Sequence, residues 1–246
     1  MNSYEPSTRN RRKRNARTSG PFALRGAGFH ARACGRKGAS VQLADKHRPA
    51  TLADIAGNAK AIGILKALVA RPMPSAWLLE GPSGIGKSSA ALAVARALAS
   101  DMDVQHVAGQ DIGAADVRRI YEALNHSAWK PGGWKVCIVD EADQISRQGQ
   151  TLWLSYLEKL PPHAIVIFTS NERGDFEPRF LSRVKTLHFT AQGMAEAGAK
   201  RLETVAAAEG VPLEHAVAVR MMRDAGNNVR AALQALELEV MSVAAA

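Results

Sequence analysis

Two cysteines are all that this 246-residue chain contains, too few for a disulfide framework or a zinc site. Cys137 lies in the apolar run 136–139, where a buried, reduced thiol is the simplest interpretation. The chain also lacks any run approaching 18 consecutive apolar residues, which excludes a membrane-spanning helix by the usual length criterion. From these absences we expect a cytoplasmic protein without a membrane segment.

Outside its first forty residues, the chain lacks a net charge. The formal net charge is +9, and residues 1–40 alone carry ten Lys or Arg against one acid, so the whole excess lies there. This segment shows no hydrophobic periodicity and is dotted with Gly, Ser and Asn, which predicts a disordered basic tail. Three roles stay open: an arm that contacts nucleic-acid phosphates, a targeting segment, or a solvated extension without a role of its own.

The most informative segment is the octet 81–88, Gly-Pro-Ser-Gly-Ile-Gly-Lys-Ser, which fits the phosphate-loop pattern G-x-x-x-x-G-K-[ST]. Its glycines allow successive backbone N–H groups to face a polyphosphate. Lys87 would neutralise the β- and γ-phosphates, and the Ser88 hydroxyl would hold Mg²⁺. An apolar strand before the loop and a helix after it argue against a chance Gly-rich turn. We therefore expect a nucleoside triphosphate and Mg²⁺ to bind here, with nucleotide contacts from Gly81, Pro82, Ser83, Gly84, Ile85, Gly86, Lys87, Ser88 and Ser89.

Two later strands end in polar residues suited to Mg²⁺ binding and to hydrolysis of a bound triphosphate. The apolar strand 135–139 ends in Asp140 and Glu141. Asp140 would help to hold the Mg²⁺, and Glu141 would orient and deprotonate an attacking water, although solvated acids are common at strand ends. Asn171 follows the next buried strand and could position the water or the γ-phosphate, although Asn is also frequent in turns.

Strands and helices alternate along the chain up to about residue 189. The predicted strands are 76–80, 103–107, 135–139, 164–169 and 185–189, and the predicted helices between them are 87–99, 114–126 and 150–159. Such alternation predicts a parallel sheet flanked by helices. Only helices are predicted afterwards, at 191–208, 212–224 and 227–242. We expect a tail at 1–40, an α/β domain at 41–189 and a small all-α lid domain at 190–246.

Five further segments combine with the phosphate loop into a joint pattern. They are 46–49 (K-H-R-P) with 53–57 (A-D-I-A-G), 140–143 (D-E-A-D), 157–162 (L-E-K-L-P-P) with 168–171 (F-T-S-N), 181–184 (L-S-R-V), and 226–233. Together they resemble the AAA+ ATPases, and within them the sliding-clamp loader subunits of the replication factor C small-subunit and bacterial polymerase III gamma/tau types. The resemblance covers about residues 44–242 and does not include the helical collar domain of those subunits.

The resemblance implies the P-loop NTPase (AAA+) fold and adds site residues. His47, Arg48, Pro49 and Ile55 correspond to the segment that packs against adenine, with His47 in place of the usual aromatic residue. Arg183 corresponds to the arginine finger that reaches a neighbouring subunit's ATP. Arg230 corresponds to the sensor 2 arginine, with one extra residue between it and Gly226.

The resemblance implies an ATP-hydrolysing protein of DNA replication, with other AAA+ subunits, a sliding clamp and DNA as partners. Two alternatives stay open. One is another AAA+ DNA-remodelling ATPase, such as a helicase loader or a branch-migration motor of a phage or mobile element. The other is a non-catalytic subunit that binds nucleotide without turnover, although Lys87, Ser88, Asp140 and Glu141 are all present.

Overall fold

A computed structural model describes residues 42–130, 132–171 and 176–244, with side chains up to residue 242. The predicted basic tail at 1–40 lies outside the described residues. Nowhere in the described part of the chain is a helix both long and apolar enough to cross a membrane.

A five-stranded parallel sheet forms the centre of the α/β region, as predicted. Its spatial order is β2-β3-β4-β1-β5, with β1 between β4 and β5, and β3 between β2 and β4. The central strands read as continuous apolar runs because helices cover both of their faces. The strands are β1 (Ser75–Glu80), β2 (Val104–Ala108), β3 (Lys135–Asp140), β4 (Ala164–Ser170) and β5 (Lys185–His188).

The helices lie close to the predicted positions. α5 begins at Arg147, earlier than the predicted residue 150, because the Ser146 hydroxyl accepts a hydrogen bond from the Gly149 N–H and caps the helix. The helices are α1 (Leu43–Lys46), α2 (Ala59–Ala70), α3 (Lys87–Leu98), α4 (Ala114–Asn125), α5 (Arg147–Leu157), α6 (Pro178–Leu181), α7 (Met194–Ala208), α8 (His215–Asp224) and α9 (Val229–Ala244).

The alternation of side chains along the strands divides the core into two layers. Trp77 and Leu79 of β1 face α2 and α3, whereas Leu78 of the same strand faces α4 and α5. Cys137 belongs to the second layer and is fully buried, and burial raises the pKa of its thiol to about 12. The described cysteine is therefore a buried free thiol, as predicted.

Helices α7, α8 and α9 pack around a third core of their own. Leu202, Met222 and Leu236 are almost completely buried there, and Leu43 of α1 joins them. The segment before the α/β core is thus anchored on the C-terminal helices. Lys46 Nζ and His47 Nε2 both contact the Glu209 carboxylate just after α7, at 2.7 and 2.5 Å. The predicted domain boundaries at residues 41 and 190 stay predictions.

Candidate functional site

A cleft of about 220 Å³ opens at the carboxyl ends of β1, β3 and β4, between the sheet and the C-terminal helices. Most of the residues singled out in the sequence line this cleft. They are His47, Arg48, Pro49, Ile55, Ser83, Gly84, Ile85, Gly86, Lys87, Ser88, Ser89, Asp140, Glu141, Asn171 and Arg230. Parallel strands bring these segments together because their carboxyl ends meet at one edge of the sheet.

The loop between β1 and α3 has the backbone that a phosphate cradle requires. Gly84 and Gly86 have φ angles of +74° and +101°, in the left-handed region where residues with a β-carbon are strained. Gly86 is also the residue that precedes the first turn of α3, so the free N–H groups of the helix open into the cleft. The loop and the helix N-terminus can therefore bind an anion together.

The ammonium group of Lys87 connects this loop with the end of β4. Its Nζ donates to the carbonyl oxygens of Gly81 at 2.7 Å and Pro82 at 2.6 Å, and to Asn171 Oδ1 at 3.1 Å. Gly81 and Pro82 thus act through their carbonyl groups and do not line the cleft. Burial and then the nearby Arg230 cation lower the pKa of Lys87 to about 8. The negative charge of an anion in the cleft would stabilise the ammonium and so counteract both effects.

Asp140 is held by its neighbours at the end of β3. Thr169 Oγ1 donates to its Oδ1 at 2.7 Å, and His106 Nε2 lies 2.5 Å from its Oδ2. Burial alone would raise the pKa of Asp140. Hydrogen bonds from His106, Thr169 and Ser88 outweigh burial, and the pKa of this carboxyl lies below its usual value. The carboxylate is therefore ionised at neutral pH.

Ser88 and Asp140 form a pair of oxygen donors that fits Mg²⁺. Their side chains are within hydrogen-bonding reach of each other, so both could contact one ion or its water shell. Mg²⁺ prefers oxygen ligands and usually binds through one or two protein groups together with substrate phosphates. Within the described ranges, no group of three or more His, Cys, Asp or Glu side chains is arranged to hold a metal. A site completed by a phosphate ligand agrees with both observations.

Glu141 adopts an unusual backbone conformation beside this pair. Its φ angle is +54°, and its N–H donates to Thr169 Oγ1 at 3.3 Å. Its carbonyl oxygen comes so close to Gly109 that a β-carbon at position 109 would lie 2.2 Å away. The glycine after β2 therefore permits the turn that presents Glu141 to the cleft, where Gln144 Nε2 donates to its carboxylate at 3.2 Å.

The start of α9 closes the cleft over the loop. Asn228 Oδ1 accepts from the Ala231 N–H at 3.0 Å and so caps the helix, while the Arg230 N–H donates to the Gly84 carbonyl at 3.4 Å. The guanidinium of Arg230 is near enough to Lys87 to lower the pKa of the lysine. The C-terminal helices thus contact the loop directly and add a cation to its anion site.

Unlike the other charged side chains predicted for the site, Arg183 lies away from the cleft. It follows α6, and its guanidinium contacts Glu158 Oε1 and the Arg179 carbonyl. About a third of its side chain is exposed. Arg183 therefore cannot complete the cleft of its own chain in this arrangement, and its proposed role in a neighbouring site stays a prediction.

Sequence reasoning missed several residues of the site. Arg201 of α7 lines the cleft and donates to the His47 carbonyl, and Thr169 holds both Asp140 and the Glu141 backbone. His106 is the third omission: it lies on the partly buried strand β2, and its ring reaches Asp140. A polar residue within a predicted strand was the only available signal for Thr169 and His106.

Comparison with known proteins finds sequence similarity to subunits of DNA polymerase III and of replication factor C. The profile of the family described as "DNA polymerase III, delta subunit" matches residues 99–193. The replication factor C small subunit of Haloarcula marismortui is 27% identical over 213 residues, which cover 84% of this chain and 65% of that protein. Replication factor C subunit 4 of Caenorhabditis elegans is 31% identical, with coverages of 78% and 61%. DNA polymerase III subunit gamma/tau of Mycobacterium bovis is 27% identical, with coverages of 80% and 38%.

Solved structures extend the likeness to the fold. The RuvB Holliday junction branch migration motor of Thermotoga maritima has a TM-score of 0.64 at 18% identity, covering 80% of this chain and 72% of that one. The chain spans no more than 65% of the length of the three relatives above. These comparisons confirm the predicted AAA+ fold and the resemblance to clamp-loader subunits.

Proposed function

We propose that this protein binds Mg-ATP in the cleft and hydrolyses it, and that it acts in DNA replication as a clamp-loader-like AAA+ subunit. The observation that carries the proposal is the convergence of Lys87, Asp140 and Glu141 on one cleft. A cation for the phosphates, an oxygen ligand for a metal and a carboxylate for the attacking water are the groups that ATP hydrolysis requires. The names of the similar relatives support the assignment to replication.

The triphosphate would lie along the loop 81–88, where backbone N–H groups and the N-terminus of α3 face it. The ammonium of Lys87 would exchange its bond to the Pro82 carbonyl for bonds to phosphate oxygens. The adenine would lie on the side of the cleft formed by 47–49 and Ile55. Arg230 would contact the γ-phosphate from α9, so that bound ATP holds the C-terminal helices against the loop.

Hydrolysis would depend on residues at the ends of β3 and β4. Ser88 and Asp140 would hold Mg²⁺, which neutralises charge on the phosphates when it is bound. Glu141 would orient the attacking water and accept its proton. Asn171 would release Lys87 Nζ and bind the water or the γ-phosphate.

Arg183 would serve the site of a neighbouring subunit. Its position after α6, outside the cleft of its own chain, agrees with a role in trans. An arginine supplied in this way increases hydrolysis by about 10³- to 10⁵-fold in NTPases. Other AAA+ subunits are therefore proposed partners, together with a sliding clamp and DNA.

Steady-state ATP hydrolysis by single variants and by their mixture tests the catalytic role of Glu141 and the role of Arg183 in a neighbouring subunit's site. We expect Glu141→Gln and Arg183→Ala to be nearly inactive alone. Mixing them should restore part of the activity, because Glu141→Gln subunits supply Arg183 to sites that retain Glu141. Arg179→Ala replaces an exposed arginine on α6, the short helix that precedes Arg183. It is the matched control and should hydrolyse ATP like the parent.

The possible outcomes separate the alternatives. Parental turnover by Glu141→Gln would refute the catalytic assignment of the acid. A parent that binds Mg-ATP without hydrolysing it, also with DNA present, would favour a non-catalytic subunit. Inactive single variants whose mixture also stays inactive would contradict the role of Arg183 in trans.

A further inference from the structure

From the two hydrogen bonds on the Asp140 carboxylate we infer that His106 is a positioning residue for the Mg²⁺ site. His106 lies on β2, does not line the cleft, and would act by fixing the orientation of Asp140. This inference rests on the proposed function, because it assigns a role in the Mg²⁺ site proposed above.

Sheet topology explains how Asp140 comes to be held from two sides. β3 lies between β2 and β4, so the last residue of β3 has one neighbouring strand on each side. Thr169 of β4 donates to Oδ1 at 2.7 Å, and His106 of β2 lies 2.5 Å from Oδ2. Since an ionised carboxylate only accepts hydrogen bonds, Nε2 of His106 carries the proton and donates.

Two donors on opposite oxygens prevent the Asp140 carboxylate from rotating about its Cβ–Cγ bond. The lone pairs that remain on each oxygen stay available, and Asp140 lines the cleft together with Ser88. A ligand held in this way needs no reordering when a metal binds. In known metal sites, loss of such a supporting hydrogen bond reduces metal affinity or activity by about 10- to 100-fold.

The placement of His106 favours this role over a purely structural one. Its side chain and that of Asp140 are each only about a fifth exposed, so water competes weakly for their hydrogen bond. Among the described strands, β2 lies at the edge of the sheet and pairs with one strand, β3. Loss of the imidazole should therefore change the Asp140 carboxylate more than it changes the core.

The test is the Mg²⁺ dependence of nucleotide binding, measured with a fluorescent ATP analogue on the parent, His106→Ala and His106→Gln. We expect His106→Ala to need about 10- to 100-fold more Mg²⁺ for half of the Mg²⁺-dependent gain in affinity. Its affinity in EDTA should equal that of the parent, because the phosphate loop is intact. His106→Gln should recover part of the Mg²⁺ response, since its amide can donate to Asp140 from a similar distance.

His163→Ala is the matched control. His163 is a half-buried residue in the turn before β4, and its ring contacts the His126 carbonyl rather than the cleft. This variant should show the parental Mg²⁺ response.

Three other outcomes would contradict either this inference or the proposed function. A parental Mg²⁺ response in His106→Ala would overturn the inference while leaving ATP binding in place. Equal loss of affinity with Mg²⁺ and in EDTA, together with a lower melting temperature, would also overturn it and assign His106 a structural role. A parent that binds no nucleotide would instead refute the proposed function itself.

Discussion

The amide oxygen of Asn228 lies against Gly84, so closely that a β-carbon on the glycine would sit 1.8 Å from it. The same oxygen caps α9 by accepting from the Ala231 N–H. One side chain therefore ends the last helix and packs on the phosphate loop. The position of the C-terminal helices is in this way tied to the conformation of the loop.

Gly84→Ala should separate the loop from α9. The new methyl group would displace the Asn228 side chain, which costs about 1 kcal/mol for the lost helix cap, in addition to about 1–2 kcal/mol for a residue with a β-carbon at positive φ. We expect lower stability in urea unfolding and weaker binding of Mg-ATP. Gly210→Ala is the control, because Gly210 has a similar φ of +75° and open space around it. Gly210→Ala should lose only the stability that a β-carbon costs at positive φ. Equal losses of stability in Gly84→Ala and Gly210→Ala would contradict the account.

Binding of Mg-ATP should be accompanied by proton uptake near pH 8.5. The pKa of Lys87 is about 8 in the free protein, lowered by burial and by Arg230, and a phosphate beside the ammonium should raise it again. The uptake should be more than half a proton per nucleotide at pH 8.5 and small at pH 7, where Lys87 is already charged. Calorimetric titrations in two buffers of different ionisation enthalpy measure this number.

The lowered pKa of Lys87 also makes the free energy of unfolding depend on pH. Between about pH 8 and 10.5, the unfolded chain holds a proton on this lysine that the folded chain has lost. The free energy of unfolding therefore rises with pH in this range, as the cost of burying the charged lysine is lost. Nucleotide binding at pH 8.5 without proton uptake would contradict the burial of Lys87 beside Arg230.

A second pH effect should come from the C-terminal helices. His215 lies between two carboxylates, with Nδ1 2.5 Å from Glu203 and Nε2 3.0 Å from Glu196, and these hydrogen bonds raise its pKa. Its stabilising effect is complete below pH 6.5 and is lost as the pH rises through the raised value. Melting temperatures of His215→Gln should therefore fall below the parent at pH 6 and match it at pH 9. A difference that is the same at both pH values would show that the imidazole acts only by packing.

Gly109→Ala should reduce hydrolysis more than nucleotide binding. A β-carbon at position 109 would lie 2.2 Å from the Glu141 carbonyl and force the turn that presents Glu141 to move. Gly113→Ala is the control on the same connection, because its β-carbon would come no closer than 3.5 Å to Asp116. We expect kcat for ATP to fall at least tenfold in Gly109→Ala only, at an unchanged affinity for Mg-ATP. Equal activity of the two variants would show that the approach of Gly109 to Glu141 is unimportant.

The sequence allowed the sheet and the phosphate loop to be predicted because their signals are local. The apolar runs of β1, β3 and β4 are separated by clear helix patterns, and the loop pattern fixes Lys87 and Ser88 by spacing alone. The start of α5 was placed too late because its first residues, R-Q-G-Q, carry no apolar periodicity. Only the Ser146 cap marks it.

Contacts between distant segments could not be predicted in the same way. The hydrogen bond between His106 and Asp140 depends on β2 lying beside β3, which the order of strands along the chain does not specify. The contact of Asn228 with Gly84 depends on how the C-terminal helices pack against the α/β region. Arg201 was missed for the same reason, since it reaches the His47 carbonyl from α7.

Equilibrium binding of Mg-ATP to the parent, to Glu141→Gln and to Lys87→Ala tests the central claim most directly. The account predicts that the parent and Glu141→Gln bind the nucleotide, because the loop and the Ser88–Asp140 pair are intact in both. Lys87→Ala should lose most of the affinity, because the only ammonium within the loop is removed. A parent that does not bind Mg-ATP, or a Lys87→Ala variant that binds it as the parent does, would contradict the account.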